Sequence, residues 1–190
     1  MIRVLLDTNV LRYYGSRRDA SQYKFIKPFW DDVRAHPHNY KLYIAQETFR
    51  ELVVQMPVIE RTSPKAAVDI QFLLDEFEII PTPYDHQIEH KLRQAAAHVK
   101  AKFSIQTPKG KEMEYPSASD ARILLTAYKE DLRLVTKNIK DFMLYPCLDG
   151  VLWDSETNTE VVIDEATYLA VQQHPHVISL IQDLNFIRTP

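Results

Sequence analysis

Met1-Ile2-Arg3-Val4-Leu5-Leu6-Asp7-Thr8-Asn9-Val10 is the stretch whose reading decides the fold. A short apolar run ends abruptly in Asp-Thr-Asn, and apolar character resumes at Val10 and Leu11. A strand buried on both faces reads as an unbroken apolar run of this kind. Its polar stop then stands at the carboxyl end of the strand. In open α/β sheets that edge binds ligands, above all where the strand order reverses. Asp7 is therefore a candidate first carboxylate of a metal site, with later segments supplying the others.

Working outward, the rest of the chain alternates between short apolar runs and helical stripes. Phe25, Ile26, Phe29, Trp30 and Val33 recur at helical spacing, and Pro28 within them either starts or kinks that helix. Leu42-Tyr43-Ile44-Ala45 reads as a second strand, followed by a helix with Phe49, Leu52, Val53 and Met56 as its stripe. Ser63-Pro64 is a helix start with a capping residue. Glu78-Ile79-Ile80 is a third strand, and a helix runs from about Asp85. Residues 104 to 118 read as a long polar loop, of the sort that is functional or mobile. Ser119 is expected to cap the next helix. Leu132 to Thr136 is a fourth strand, and Val151 to Ile163 a hairpin around a polar turn. Asp164 caps a last helical stretch broken at His174-Pro175-His176. Strands alternating with helices predict an α/β fold with a mostly parallel sheet.

Composition narrows the function. A chain of 190 residues buries roughly 70% of its unfolded surface and needs no staples. The single Cys147 leaves no internal disulfide framework and fits a reducing compartment. No transmembrane-length apolar run or signal-like segment is present, so the expected location is cytoplasmic. With three glycines, neither GxGxxG nor a Walker-type loop occurs, which removes the common nucleotide-binding readings. A net charge of −3 does not advertise nucleic acid, but a nuclease needs local basic contacts and a metal rather than a basic pI.

Four acids and one amide stand at or near the ends of the predicted strands. Asp7 ends the first strand, Glu51 lies on the helix after the second, Asp120 opens the helix before the fourth, and Asn138 and Asp141 follow the fourth. Each has an ordinary alternative: a turn or cap residue for Asp7, a helix-dipole partner for Asp120, a solvated helix residue for Glu51. Glu47, four residues before Glu51, shares its face. Carboxylates gathered at one sheet edge raise one another's pKa unless a cation neutralises them. Hard, oxygen-coordinated Mg²⁺ or Mn²⁺ is the natural occupant, and such a site can activate water for phosphodiester cleavage.

These residues resemble the PIN-domain nucleases, including the ribonuclease toxins of bacterial toxin–antitoxin pairs. The stretches that carry the resemblance are Leu5 to Leu11, Leu42 to Ala45 with Glu51-Leu52, Ser119 to Leu124, and Leu134 to Phe142. It covers about residues 1 to 145, and residues 146 to 190 form a C-terminal extension of hairpin and helix, expected to pack on the same domain. The resemblance implies a three-layer α/β/α fold around an approximately five-stranded parallel sheet. It also implies a metal-dependent endoribonuclease with Asp7, Glu51 and Asp120 as ligands. Asn138 stands where family members often carry Asp, so Asp141 is the alternative fourth ligand. Thr136 and Asn9 would assist by hydrogen bonding, with Glu47 as an auxiliary acid. RNA as substrate, an antitoxin partner and a homodimer follow from the same resemblance. Lys109, Lys111, Arg122, Arg12, Arg17 and Arg18 are candidates to line a phosphate groove. Two rival readings remain at this stage. One is a PIN-like RNA- or protein-binding module with weak or no catalysis; the other is a phospho-receiver domain, which lacks its usual paired N-terminal acids here. His86 and His90, at i and i+4, read as solvent-facing rather than as a zinc pair.

Overall fold

The computed structural model describes residues 1–15, 20–83 and 85–187. Six strands form one sheet: β1 (Ile2–Leu6), β2 (Tyr40–Ala45), β3 (Glu78–Ile80), β4 (Arg133–Thr136), β5 (Leu152–Asp154) and β6 (Thr159–Glu160). Their order is β3-β2-β1-β4-β5-β6. β1 runs parallel to both β2 and β4, and β2 parallel to β3. The predicted α/β class holds, with six strands rather than about five, because the hairpin expected after Val151 adds β5 and β6 to the β4 edge. Two compact units emerge, one of residues 1–81, 133–137 and 153–159, the other of residues 82–132, 138–152 and 160–190.

The first unit carries the parallel strands and helices α1 (Thr8–Gly15), α2 (Ala20–Tyr23), α3 (Lys27–Ala35), α4 (Gln46–Thr62) and α5 (Pro64–Glu76). Alternate strand residues Val4, Leu6, Ile44 and Val135 join Leu11, Phe29, Leu52 and Ile70 in one buried cluster, as the two-residue strand period and the 3.6-residue helix period require. Pro28 stands in the first turn of α3, so it starts that helix rather than kinking it. Ser63 precedes α5 as expected, yet its side chain makes no capping bond; Pro64, which has no N–H to satisfy, opens the helix.

The second unit is built on α6 (His86–Phe103), with α7 (Ala118–Lys129), α8 (Ile139–Phe142), α9 (Glu165–Gln172) and α10 (Pro175–Ile187). Asp85 caps α6 by accepting from Gln87 and Ile88 N–H, and Asp164 caps α9 through Thr167 N–H. α6 packs against both α7 and α10. Leu92, Ala96 and Val99 of α6 and Leu180 and Leu184 of α10 are fully buried. The helical stretch is interrupted at His174, between α9 and α10, where the His176 ring stacks on His98 with centroids 3.8 Å apart. His86 and His90 are exposed, as read. Cys147 is buried, and burial pushes its thiol up to about 12, so it is packing rather than a nucleophile.

The stretch expected to be a polar loop is more ordered than its composition suggests. Ser104 leaves α6 in the left-handed region, Gln106 and Glu112 form an antiparallel bridge, and Gly110 turns the chain at φ +72°. Met113 is fully buried and Ile105 nearly so. Two apolar anchors therefore pin a small hairpin, a pattern that the surrounding charges conceal. Among the described residues no helix is long and apolar enough to cross a membrane.

Candidate functional site

The strand order places Asp7 at a reversal. From β1 the chain builds outward through β2 and β3 on one side, and β4 adds on the other. The carboxyl end of β1 beside β4 is thus the switch point of the sheet, where open α/β folds bind ligands. Asp7 N–H donates to Val135 O at 3.1 Å, which locks this junction. α1 begins at the next residue, so the Asp7 carboxylate also faces the positive end of a helix.

Asp7 is 2% exposed. Its Oδ1 accepts from Thr8 N–H at 2.7 Å, and its Oδ2 from the Thr136 hydroxyl at 2.7 Å and the Asn9 amide at 3.2 Å. Thr136 and Asn9, the two expected helpers, both touch Asp7. The Thr8 hydroxyl donates to Glu51, so one side chain links the acid of α4 to the end of β1. Glu47, one turn earlier on α4, has Arg50 Nη1 3.9 Å from its Oε2. Of the two candidate acids on α4, Glu51 is the one tied to Thr8. Thr8 itself escaped the sequence reading, since a Thr after Asp reads as an ordinary helix start.

The second unit holds the other candidates. Asp120 is the third residue of α7, and the helix is capped by Ser117, not by Ser119 as the sequence suggested. Ser117 Oγ accepts from Asp120 N–H at 3.1 Å, while Asp120 Oδ2 accepts from Ser117 N–H at 3.1 Å and Ser117 Oγ at 2.6 Å. This reciprocal capping box fixes the Asp120 carboxylate as well as the helix end. The reason for the correction is spacing: a box needs its acid three residues after the cap, and only Ser117 stands there. Ser117→Ala is expected to cost about 1 kcal/mol, read as a lowered urea midpoint with unchanged m-value, with Ser117→Thr close to wild type.

Asn138 immediately precedes α8 and Asp141 lies within it. Asn138 Nδ2 donates to the Asp141 carboxylate. Burial and the negative charges of Asp120 and Glu114 push the Asp141 pKa up, while the Asn138 bond and Lys140 oppose them. A raised folded-state pKa means the native state holds its proton more tightly than the unfolded chain, so ionising Asp141 destabilises the fold above its ordinary value near 3.8. Asp141→Asn should therefore melt at a higher temperature than wild type at pH 7 in chelator, and the gap should close below pH 4. A variant no more stable than wild type at pH 7 would sink this account.

Among the described residues, no group of three or more His, Cys, Asp or Glu side chains is placed to hold a metal ion. What the structure provides is a linked pair in each unit, Asp7 with Glu51 through Thr8, and Asp120 with Asp141 through charge. All are hard oxygen donors of the kind that suits Mg²⁺ or Mn²⁺ and disfavours softer ions. The cations named as candidates for a phosphate groove are dispersed in their surroundings. Arg122 is engaged with Glu89 at 2.8 Å, Lys109 and Lys111 sit on the exposed hairpin, and Arg17 and Arg18 lie outside the described residues.

Compared as a fold, the chain is similar to a structure of VapBC2 from Rickettsia felis bound to a DNA fragment from its promoter. The TM-score is 0.50 at 20% identity, covering 80% of this chain and 97% of that one. The fold is PIN-like. FitAB bound to an IR36 DNA fragment (TM-score 0.49, 20% identity, 80% and 95% coverage) and FitAcB from Neisseria gonorrhoeae (0.46, 20%, 80% and 97%) are also similar. No protein-family model matches the sequence, and no curated protein does. At this identity the likeness establishes the PIN-like architecture, so the chemistry has to be argued from the residues.

Proposed function

We propose that this protein is a divalent-metal-dependent endoribonuclease that hydrolyses RNA phosphodiester bonds. The observation that carries the reading is Asp7, a carboxylate buried at the switch point of the sheet and fixed by three donors. Burying a carboxylate is costly unless it is bonded and put to use. Asp7 is assigned as the central metal ligand, and Glu51, Asp120 and Asp141 as further ligands on the strength of the sequence resemblance. Asn138 holds Asp141 in place, and Thr136 and Asn9 hold Asp7. Mg²⁺ or Mn²⁺, when bound, would neutralise charge on the scissile phosphate and activate the attacking water. The toxin role in a toxin–antitoxin pair, with an antitoxin partner and a homodimer, is proposed from the same resemblance.

The test is cleavage of a labelled RNA by the purified protein with Mn²⁺ or Mg²⁺, repeated in excess chelator and after readdition of metal. Cleavage that vanishes and returns supports the reading. Metal-independent cleavage, or none in any divalent ion, overturns it.

A further inference from the structure

Lys137 directly follows Thr136, the residue whose hydroxyl binds Asp7, so its backbone belongs to the same carboxyl edge of the sheet. Its ammonium lies 3.7 Å from the centroid of the Phe25 ring and 5.3 Å from that of Tyr13. Lys24 and Lys102 rest over the ring next to them in sequence, Phe25 and Phe103. Those contacts come with chain adjacency. Lys137 instead meets two rings from separate segments, one on α1 and one just before α3.

Phe25 is itself fixed close by. Ser155 Oγ donates to Phe25 O at 3.2 Å, and Ser155 N–H donates to Thr136 O at 3.0 Å. One serine thus ties the segment bearing the ring to the strand end bearing the lysine. All these residues belong to the first unit. A lysine head is normally a mobile, strongly hydrated point charge. Here two ring faces, negative at their centres, hold it in one position. Aromatic faces interleaved with cations are also the surface that single-stranded nucleic acid takes, through backbone charge and sequence-tolerant stacking. Arg12, exposed one helical turn beyond Thr8, adds positive charge on the same helix as Tyr13.

We infer that Lys137, clamped by Phe25 and Tyr13, is the residue that binds a backbone phosphate of single-stranded RNA at the Asp7 edge. The inference rests on the nuclease reading and names the element that seats its substrate. Lys137 contributes through position and charge: it holds the strand, while the carboxylates serve the reaction.

The experiment measures binding of a fluorescein-labelled, unstructured 20-nucleotide mixed-sequence RNA by anisotropy across a KCl series. An Asp7→Asn background in excess chelator suppresses turnover, and Lys137→Met, Lys137→Arg, Phe25→Leu and Lys102→Met are compared in it. Lys137→Met should bind five- to tenfold more weakly, and the slope of log K against log salt should flatten by about 0.7, the value for one phosphate contact on a single strand. Lys137→Arg should restore the slope, Phe25→Leu should weaken binding, and Lys102→Met should match its parent. A merely structural lysine would leave the salt slope unchanged. If the parent binds RNA and Lys137→Met binds with the same affinity and slope, the inference is wrong and the nuclease reading stands. If the parent does not bind and the wild type does not cleave, both fall.

Discussion

Asp7→Asn should lower RNA cleavage by on the order of 10²–10³-fold while leaving the fold intact. The amide is nearly isosteric with the carboxylate. Its oxygen can still accept from Thr8 N–H, and the Thr136 hydroxyl can rotate to accept from the new amide nitrogen. What disappears is one negative charge at the switch point, which is the property that holds and polarises a divalent cation. Losing one well-placed electrostatic group in a water-poor site costs about 3–4 kcal/mol of barrier in comparable systems, a factor in the range stated. The measurement is single-turnover cleavage in Mn²⁺, with thermal melts run on both proteins in chelator. Melting temperatures within a few degrees and a rate reduced at least a hundredfold are the expected pair. A folded Asp7→Asn that cleaves at the wild-type rate would remove Asp7 from the chemistry.

The second large effect is on stability. Phe142→Ala should cost about 3–5 kcal/mol, the range for emptying a buried phenylalanine site. Phe142 is 0% exposed and is the last residue of α8. That helix has four residues and no side-chain cap, far too short to persist on its own. Asn138 and Asp141, which flank and occupy it, are therefore held by packing of Phe142 and Ile139 rather than by local propensity. Urea unfolding checks the value. Phe142→Leu, which keeps most of the volume, should cost much less than the alanine variant. A loss below about 1 kcal/mol for Phe142→Ala would show that α8 is anchored by something else.

How much of this was readable beforehand depended on whether the deciding interaction is local. The apolar run Ile2 to Leu6, the stripe of α4 and the cap Asp164 are local signals, and each gave the element that the structure shows. Asp7 was legible for the same reason: an acid that stops a buried strand marks an edge. Ser119 was a reasonable cap by residue type, yet the helix took Ser117 because the acid three residues on completes the box. The hairpin between α6 and α7 was hidden because its anchors, Ile105 and Met113, are isolated in a polar stretch and show no period.

The chain's local patterns thus fixed the alternation of strands and helices, the parallel sheet and the positions of its acids. Strand order, and with it the standing of Asp7 at a reversal, came only from long-range pairing of β1 with β4. So did the Thr8 link to Glu51, the Asp120 charge that acts on Asp141, and the two rings around Lys137. Periodicity reports which face of an element is buried. It carries no term for which distant side chain arrives there, and every one of those contacts joins residues that the sequence leaves far apart.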